Sequence, residues 1–284
     1  MRTSPAPGER APRDPARYFA WLYSQGRLKA ALGLLFALEQ EIGAALRPGL
    51  DHAVAHARMQ WWQEECGRAA AGTPVHPLMR ELRTLRPPGG GEPDLAGLTR
   101  TAIWDLACAT FDTRRELSGY CEQWARALTG TACEWSAASA PQALRARRFG
   151  ERLGAALREL ELLEHLHADA RTGRLRLPLA ELEQAGVDGA ALAHLPWPAP
   201  LAQLLRARHR VLRQELEACT GQVSAPEQGP LRGLLVWAQY AHRRSCRTER
   251  ALPEPAKPGR TTLLADAWQA WRGARAAAHG RFRL

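Results

Sequence analysis

From near Tyr18 onward, apolar residues in this chain recur at three- and four-residue spacing in one segment after another, and Pro or Gly closes each segment. A helix is the element that satisfies such a period. The composition agrees, because Ala, Leu and Arg dominate while Val, Ile and Thr are few, which leaves little material for a sheet. With 284 residues and 45% apolar content, the chain can bury a real core. The expectation is an all-α fold: a single-domain helical bundle over residues 16–284, following a Pro- and charge-rich tail at 1–15 that reads as disordered.

The predicted helices lie near 16–25, 28–47, 51–70, 76–86, 94–109, 113–138, 142–170, 200–220, 229–248 and 261–279. "RPGLD" stops the second and offers Asp51 as an N-cap for the third, while "RPPGGGEPD" reads as an exposed loop whose Asp94 caps the next helix. Its three glycines make no phosphate loop, for they lack a preceding strand and the Lys-Ser/Thr pair. No period of solenoid length repeats.

The net charge of +10 comes almost wholly from Arg, since Lys29 and Lys257 are the only lysines. Such a surplus implies an anionic partner: phosphate, nucleic acid or lipid headgroups. Six cysteines form no C-x-x-C pair and no apolar signal region follows the start, so a reduced, cytoplasmic setting is expected. No run is long and apolar enough to span a bilayer, which limits any membrane contact to the periphery.

In "ELELLEHLHADARTGRLRLP", residues 159–178, Glu161, His165 and Asp169 fall four apart and project from successive turns of one helix face. Such a stripe holds a metal, pairs with a cation, or is a solvated face. In "ARMQWWQEE", residues 57–65, Arg58, Trp61, Trp62 and Glu65 lie on neighbouring turns, as in an amphipathic helix that buries indoles. His52 and His56 are explained by a polar helix start, because no metalloprotease motif surrounds them. Basic runs at 145–153, 206–213 and 242–250 could form a phosphate-binding face or an ordinary Arg-rich wet surface.

Taken in order, "RYFAWLYSQGRLKAALGLLFALEQEI", "RMQWWQEE", "HPL", "DLACATFDTRRELSGYC" and "DARTGRLRLP" resemble the squalene/phytoene synthase family. The resemblance implies an isoprenoid-synthase fold around a central cavity. It also implies head-to-head joining of prenyl diphosphates, with two facing Asp-rich motifs holding magnesium. Divalent ions bridged to carboxylates offset the negative charge of the leaving diphosphate. By the same resemblance, Arg58, Asp105, Tyr120, Arg171 and Arg174 form the substrate-binding set.

Both aspartate motifs depart from the family pattern. The first has become "GAALR", with Gly43, Ala44 and Arg47 where acids belong; the second corresponds to Glu161, His165 and Asp169, with Ala168 where a further acid is usual. Three readings stay open: His165 ligates a metal other than magnesium, Arg47 replaces the ion opposite Glu161 and Asp169, or the stripe is solvated surface. Trp124 and Arg126 stand where the family has small residues and would narrow a cavity for prenyl chains, and Thr110 stands where it usually has Arg. "ALEQEI" followed by "RMQWW" is similar to a non-catalytic branch that includes a mitochondrial complex I assembly factor.

The expected function is therefore that of a diverged relative without magnesium-dependent coupling, acting as a lipid-binding or accessory protein with no cofactor. The alternative is a head-to-head prenyltransferase with unorthodox ligands, for which magnesium would be required. The partners that fit are a prenyl diphosphate or other lipid, a membrane periphery, or a protein. Nucleic acid, held by the basic face, is the least favoured.

Overall fold

Asp14 opens the first helix: its carboxylate accepts from Arg17 N at 3.0 Å and Pro15 follows at the first helical position, where a missing N–H costs nothing. The computed structural model describes residues 11–12, 14–46, 51–255 and 260–284. Among these there are twelve α-helices and no strand, as the composition required. One isolated parallel bridge pairs Phe111 with Pro178. The chain divides into two compact units, Met1–Ala107 with Gln123–Gly154, and Cys108–Glu122 with Ala155–Leu284.

The first unit contains α1 (Pro15–Tyr23), α2 (Gly26–Gly43), α3 (His52–Ala70), α4 (Pro77–Leu85) and α5 (Ala96–Leu106). It also takes in the end of α6 (Arg114–Ala125), then α7 (Thr131–Ser136) and the first half of α8 (Ala140–Ala170). Helix α2 packs against α1, α4, α5 and α7, so beyond the stripe of Leu28, Leu32, Leu35, Leu38 and Ile42 it also buries Leu34 and Phe36 on other faces. Asp51 caps α3 as expected, accepting from Ala53 N at 2.8 Å and Val54 N at 3.3 Å. Asp94 does not cap α5. Its carboxylate pairs with Arg100 at 3.0 Å, and the helix starts at Ala96 without a side-chain cap.

The helix expected over 113–138 is divided by a π-helical turn, Arg126–Gly130. Hydroxyls compensate the disturbed ladder: Thr129 donates to Ala125 O at 3.0 Å, and Thr131 to Arg126 O at 3.2 Å. Helix α8 crosses this turn at close range. A Cβ on Gly154 would lie 1.9 Å from Thr129 Oγ1, and one on Gly150 would lie 2.4 Å from Thr129 O.

The second unit holds most of α6, the second half of α8, α9 (Leu179–Gln184), α10 (Ala199–Gly221), α11 (Ala225–Ala251) and α12 (Arg260–Ala278). Helix α11 starts four residues earlier than the periodicity predicts, because Ser224 and Glu227 form a capping box around Pro226. It then packs against both α10 and α12. The Phe111–Pro178 bridge, with Leu179 N donating to Phe111 O at 2.8 Å, sets the start of α9 beside the start of α6. No helix among the described residues is long and apolar enough to cross a membrane.

Candidate functional site

In the first unit, the end of α2 carries the altered first motif. Gly43 ends the helix and Ala44 begins a 3-10 turn, while Arg47 lies outside the described residues. One turn before Gly43, Glu39 is fully engaged within its own unit. It accepts from Arg17 at 2.5 and 3.3 Å and from Trp124 Nε1 at 2.7 Å. The Arg17 guanidinium lies 5.5 Å from the ring centroids of both Phe36 and Trp124. Trp124, expected as bulk narrowing a cavity, is a buried donor that hydrogen-bonds a carboxylate already paired with Arg17.

The "RMQWWQEE…HPL" pair of motifs is explained by one buried acid. Glu65 has no solvent exposure and accepts from Val75 N at 2.8 Å, His76 N at 2.7 Å and Arg68 Nε at 2.8 Å. It holds the turn that starts α4, and Trp62 lies against the His76 ring at 4.9 Å. Burial pushes the Glu65 carboxyl up, but the hydrogen bonds from His76 and Arg68 outweigh it and leave the group below its ordinary range. Arg58 is on the exposed side of α3, and Asp105 is half-buried near the end of α5.

The second unit carries the stripe on α8. Glu161 accepts from Arg158 at 3.2 Å, and Asp169 accepts from Arg176 Nε at 3.1 Å. His165 is exposed, and its Nδ1 donates to the carbonyl of Glu161 at 2.8 Å. Arg158 also donates to the Tyr120 hydroxyl at 2.9 Å, which ties Tyr120 to the stripe through a shared guanidinium. Arg171 is exposed. Arg174 is half-buried, and its Nε is buried without a hydrogen-bond partner.

Beside this stripe is a charge cluster that sequence reasoning missed. Glu159 is buried and accepts from Arg114 at 2.5 Å and, bidentately, from Arg208; Arg114 also grips Glu181 at 2.6 and 2.5 Å. Burial pushes the nearby Cys121 thiol far up, so it is no nucleophile at neutral pH. The separations are 45 residues for Arg114–Glu159 and 49 for Arg208–Glu159. The one signal available was Glu159 itself, an acid between Leu157 and Leu160, two residues before the stripe begins.

A magnesium cluster needs several carboxylates with free oxygens directed at a common point. In the second motif Glu161 and Asp169 are paired with arginines and the histidine donates to the helix backbone, and in the first motif Gly43 and Ala44 carry no carboxylate. No group of three or more His, Cys, Asp or Glu converges on a metal position among the described residues. The described residues do not fit the cluster.

The helix order defines an all-α protein of the isoprenoid-synthase type, and the motifs narrow it further. The squalene/phytoene synthase family model matches residues 11–264, and the chain belongs to that family. A crystal structure of a dehydrosqualene synthase in complex with ligand superposes with a TM-score of 0.73 at 14% identity, covering 93% of each chain. Squalene synthase HpnC from Alicyclobacillus acidocaldarius superposes with a TM-score of 0.60 at 17% identity, over 89% of this chain and 88% of that one. At such identities the likeness concerns the fold alone. No curated protein sequence matches the chain significantly.

Proposed function

We propose that this chain is a non-coupling member of the squalene/phytoene synthase family that binds an isoprenoid or other lipid phosphate as an accessory protein. The observation that carries the reading is the state of the second motif: both of its acids, Glu161 and Asp169, are neutralised by Arg158 and Arg176 within the same unit. Ionising an allylic diphosphate calls for divalent cations on carboxylates, and an arginine already seated on a carboxylate opposes that. The buried, unpartnered Nε of Arg174 supports an anionic ligand, since a phosphate oxygen would satisfy it.

The test incubates the purified chain with farnesyl or geranylgeranyl diphosphate in magnesium, manganese or zinc. No squalene, phytoene or released diphosphate is expected above a boiled control. A thermal-shift titration with the same diphosphates, without divalent metal, is expected to raise the melting point, because a ligand of the native state stabilises it. Chelator-sensitive turnover would replace this reading with that of a head-to-head prenyltransferase with unorthodox ligands. A flat titration would remove the lipid-phosphate reading.

A further inference from the structure

Helix α12 turns its small and polar residues inward and its largest apolar ones outward. Its inner side is seated on α11 by a bidentate pair, Arg247 to the buried Asp266 at 2.7 and 2.9 Å, and by Gly273, which lies directly against the Gln239 side chain. Ala270, Ala274 and Ala277 complete that contact face. The outer side exposes Leu264 (76%), Trp268 (57%) and Trp271 (41%). The two indoles stack at 4.9 Å with an interplanar angle of 27°, so they form one plate.

Charge says what this plate meets. Residues 260–284 contain five arginines and a single acid, Asp266, which is buried in its pair with Arg247. Arg272 and Arg275 are exposed on the helix, Arg281 and Arg283 are exposed just beyond it, and the Arg275 guanidinium lies 5.6 Å from the Trp271 ring centroid. Residues 260–284 thus show arginine and no exposed acidic side chain around the indoles, which favours an anionic surface, and tryptophan beside arginine suits the boundary between acyl chains and anionic headgroups.

We propose that the outer face of α12 docks the protein on an anionic bilayer surface, with Leu264, Trp268 and Trp271 entering the acyl boundary and Arg272 and Arg275 contacting headgroup phosphates. This docking is independent of what the α8 region binds. It places the protein flat on a membrane, as an interfacial helix does, without a spanning segment.

The test is co-sedimentation of the full chain with phosphatidylcholine vesicles, with and without phosphatidylserine, at low and high salt. Binding is expected with phosphatidylserine and should fall with salt, because the surface potential is screened. Trp268→Ala/Trp271→Ala should bind at least about tenfold more weakly, since two large apolar side chains no longer leave water. Arg272→Glu/Arg275→Glu should weaken binding similarly at low salt only. All four positions are exposed, and unchanged melting points would confirm that both variants fold. Absence of vesicle binding, or binding unaltered by both variants, overturns the proposal. So does self-association of the wild type that the tryptophan variant abolishes without any vesicle binding, which would assign the face to a second copy.

Discussion

Arg176 Nε lies 3.1 Å from Asp169 Oδ2 and ties the last turn of α8 to the chain that leaves it. Between the two, the backbone turns back on itself, with Arg174 N donating to Asp169 O at 2.9 Å. Arg176 is buried, so removing its carboxylate leaves a guanidinium with little access to water. Asp169→Ala is therefore expected to cost about 2 kcal/mol, or roughly 5 °C in Tm. A Tm unchanged by this variant would mean that the pair does not hold the helix exit, and the reading of the old motif as a structural clasp would go with it.

Glu159 serves two arginines at once. Glu159→Gln removes the charge but keeps the shape, leaving Arg208 without its carboxylate while Arg114 retains Glu181. The expected loss is about 3 kcal/mol, toward the level seen when one partner of a buried pair is deleted. Urea unfolding measures it. Further mutation of Arg208 in the Glu159→Gln background should cost less than it does in the wild type, because coupled neighbours are non-additive.

Acid should destabilise the protein in two windows. Burial, with help from Arg213, holds His209 down at about 4, below its unfolded value. The unfolded chain therefore takes up a proton first, and the stability contributed by neutral His209 is lost as pH falls from about 6.5 toward 4. Glu65 sits below the ordinary carboxylate range, so its contribution is complete above the unfolded carboxylate pKa and is lost as pH falls through the lower folded value. Stability measured against pH should have a shallower upper slope in His209→Gln, with His76 still contributing, and a shallower lower slope in Glu65→Gln, with Glu249 still contributing. Unchanged slopes would contradict the assigned environments.

The helices were legible because nearly every one announces itself by local chemistry: Asp51 at a cap, Pro and Gly at the breaks, apolar residues at helical spacing. What stayed hidden was non-local. Asp94 looks like a cap until Arg100 is seen to claim its carboxylate. Trp124 looks like an obstruction until Glu39, 85 residues away in sequence, accepts its indole N–H. The stripe on α8 was visible from spacing alone, yet its state depends on Arg158 and Arg176, which an Arg-rich sequence cannot single out. The division of the predicted 113–138 helix was invisible as well, since Thr129 fits a helical pattern and only its crossing with α8 shows why the turn widens there.

That crossing gives a test in which two effects oppose each other. Replacing a mid-helix glycine by alanine ordinarily stabilises by roughly 0.5–1 kcal/mol through the unfolded chain's entropy. At Gly154 the new methyl would meet Thr129 Oγ1 at 1.9 Å, with Ala125 Cβ at 2.9 Å and Thr129 Cβ at 3.0 Å behind it. Overpacking of this kind costs about 1–3 kcal/mol, so Gly154→Ala should be net destabilising. Thr129→Ala alone loses the hydrogen bond to Ala125 O, worth about 1 kcal/mol. Together the two substitutions should cost less than their sum, because the hydroxyl that obstructs the methyl is gone, but they should not restore the wild type, since the two carbons remain close. The coupling is read from a double-mutant cycle in urea. Strict additivity would show that α8 does not pass the widened turn at this distance.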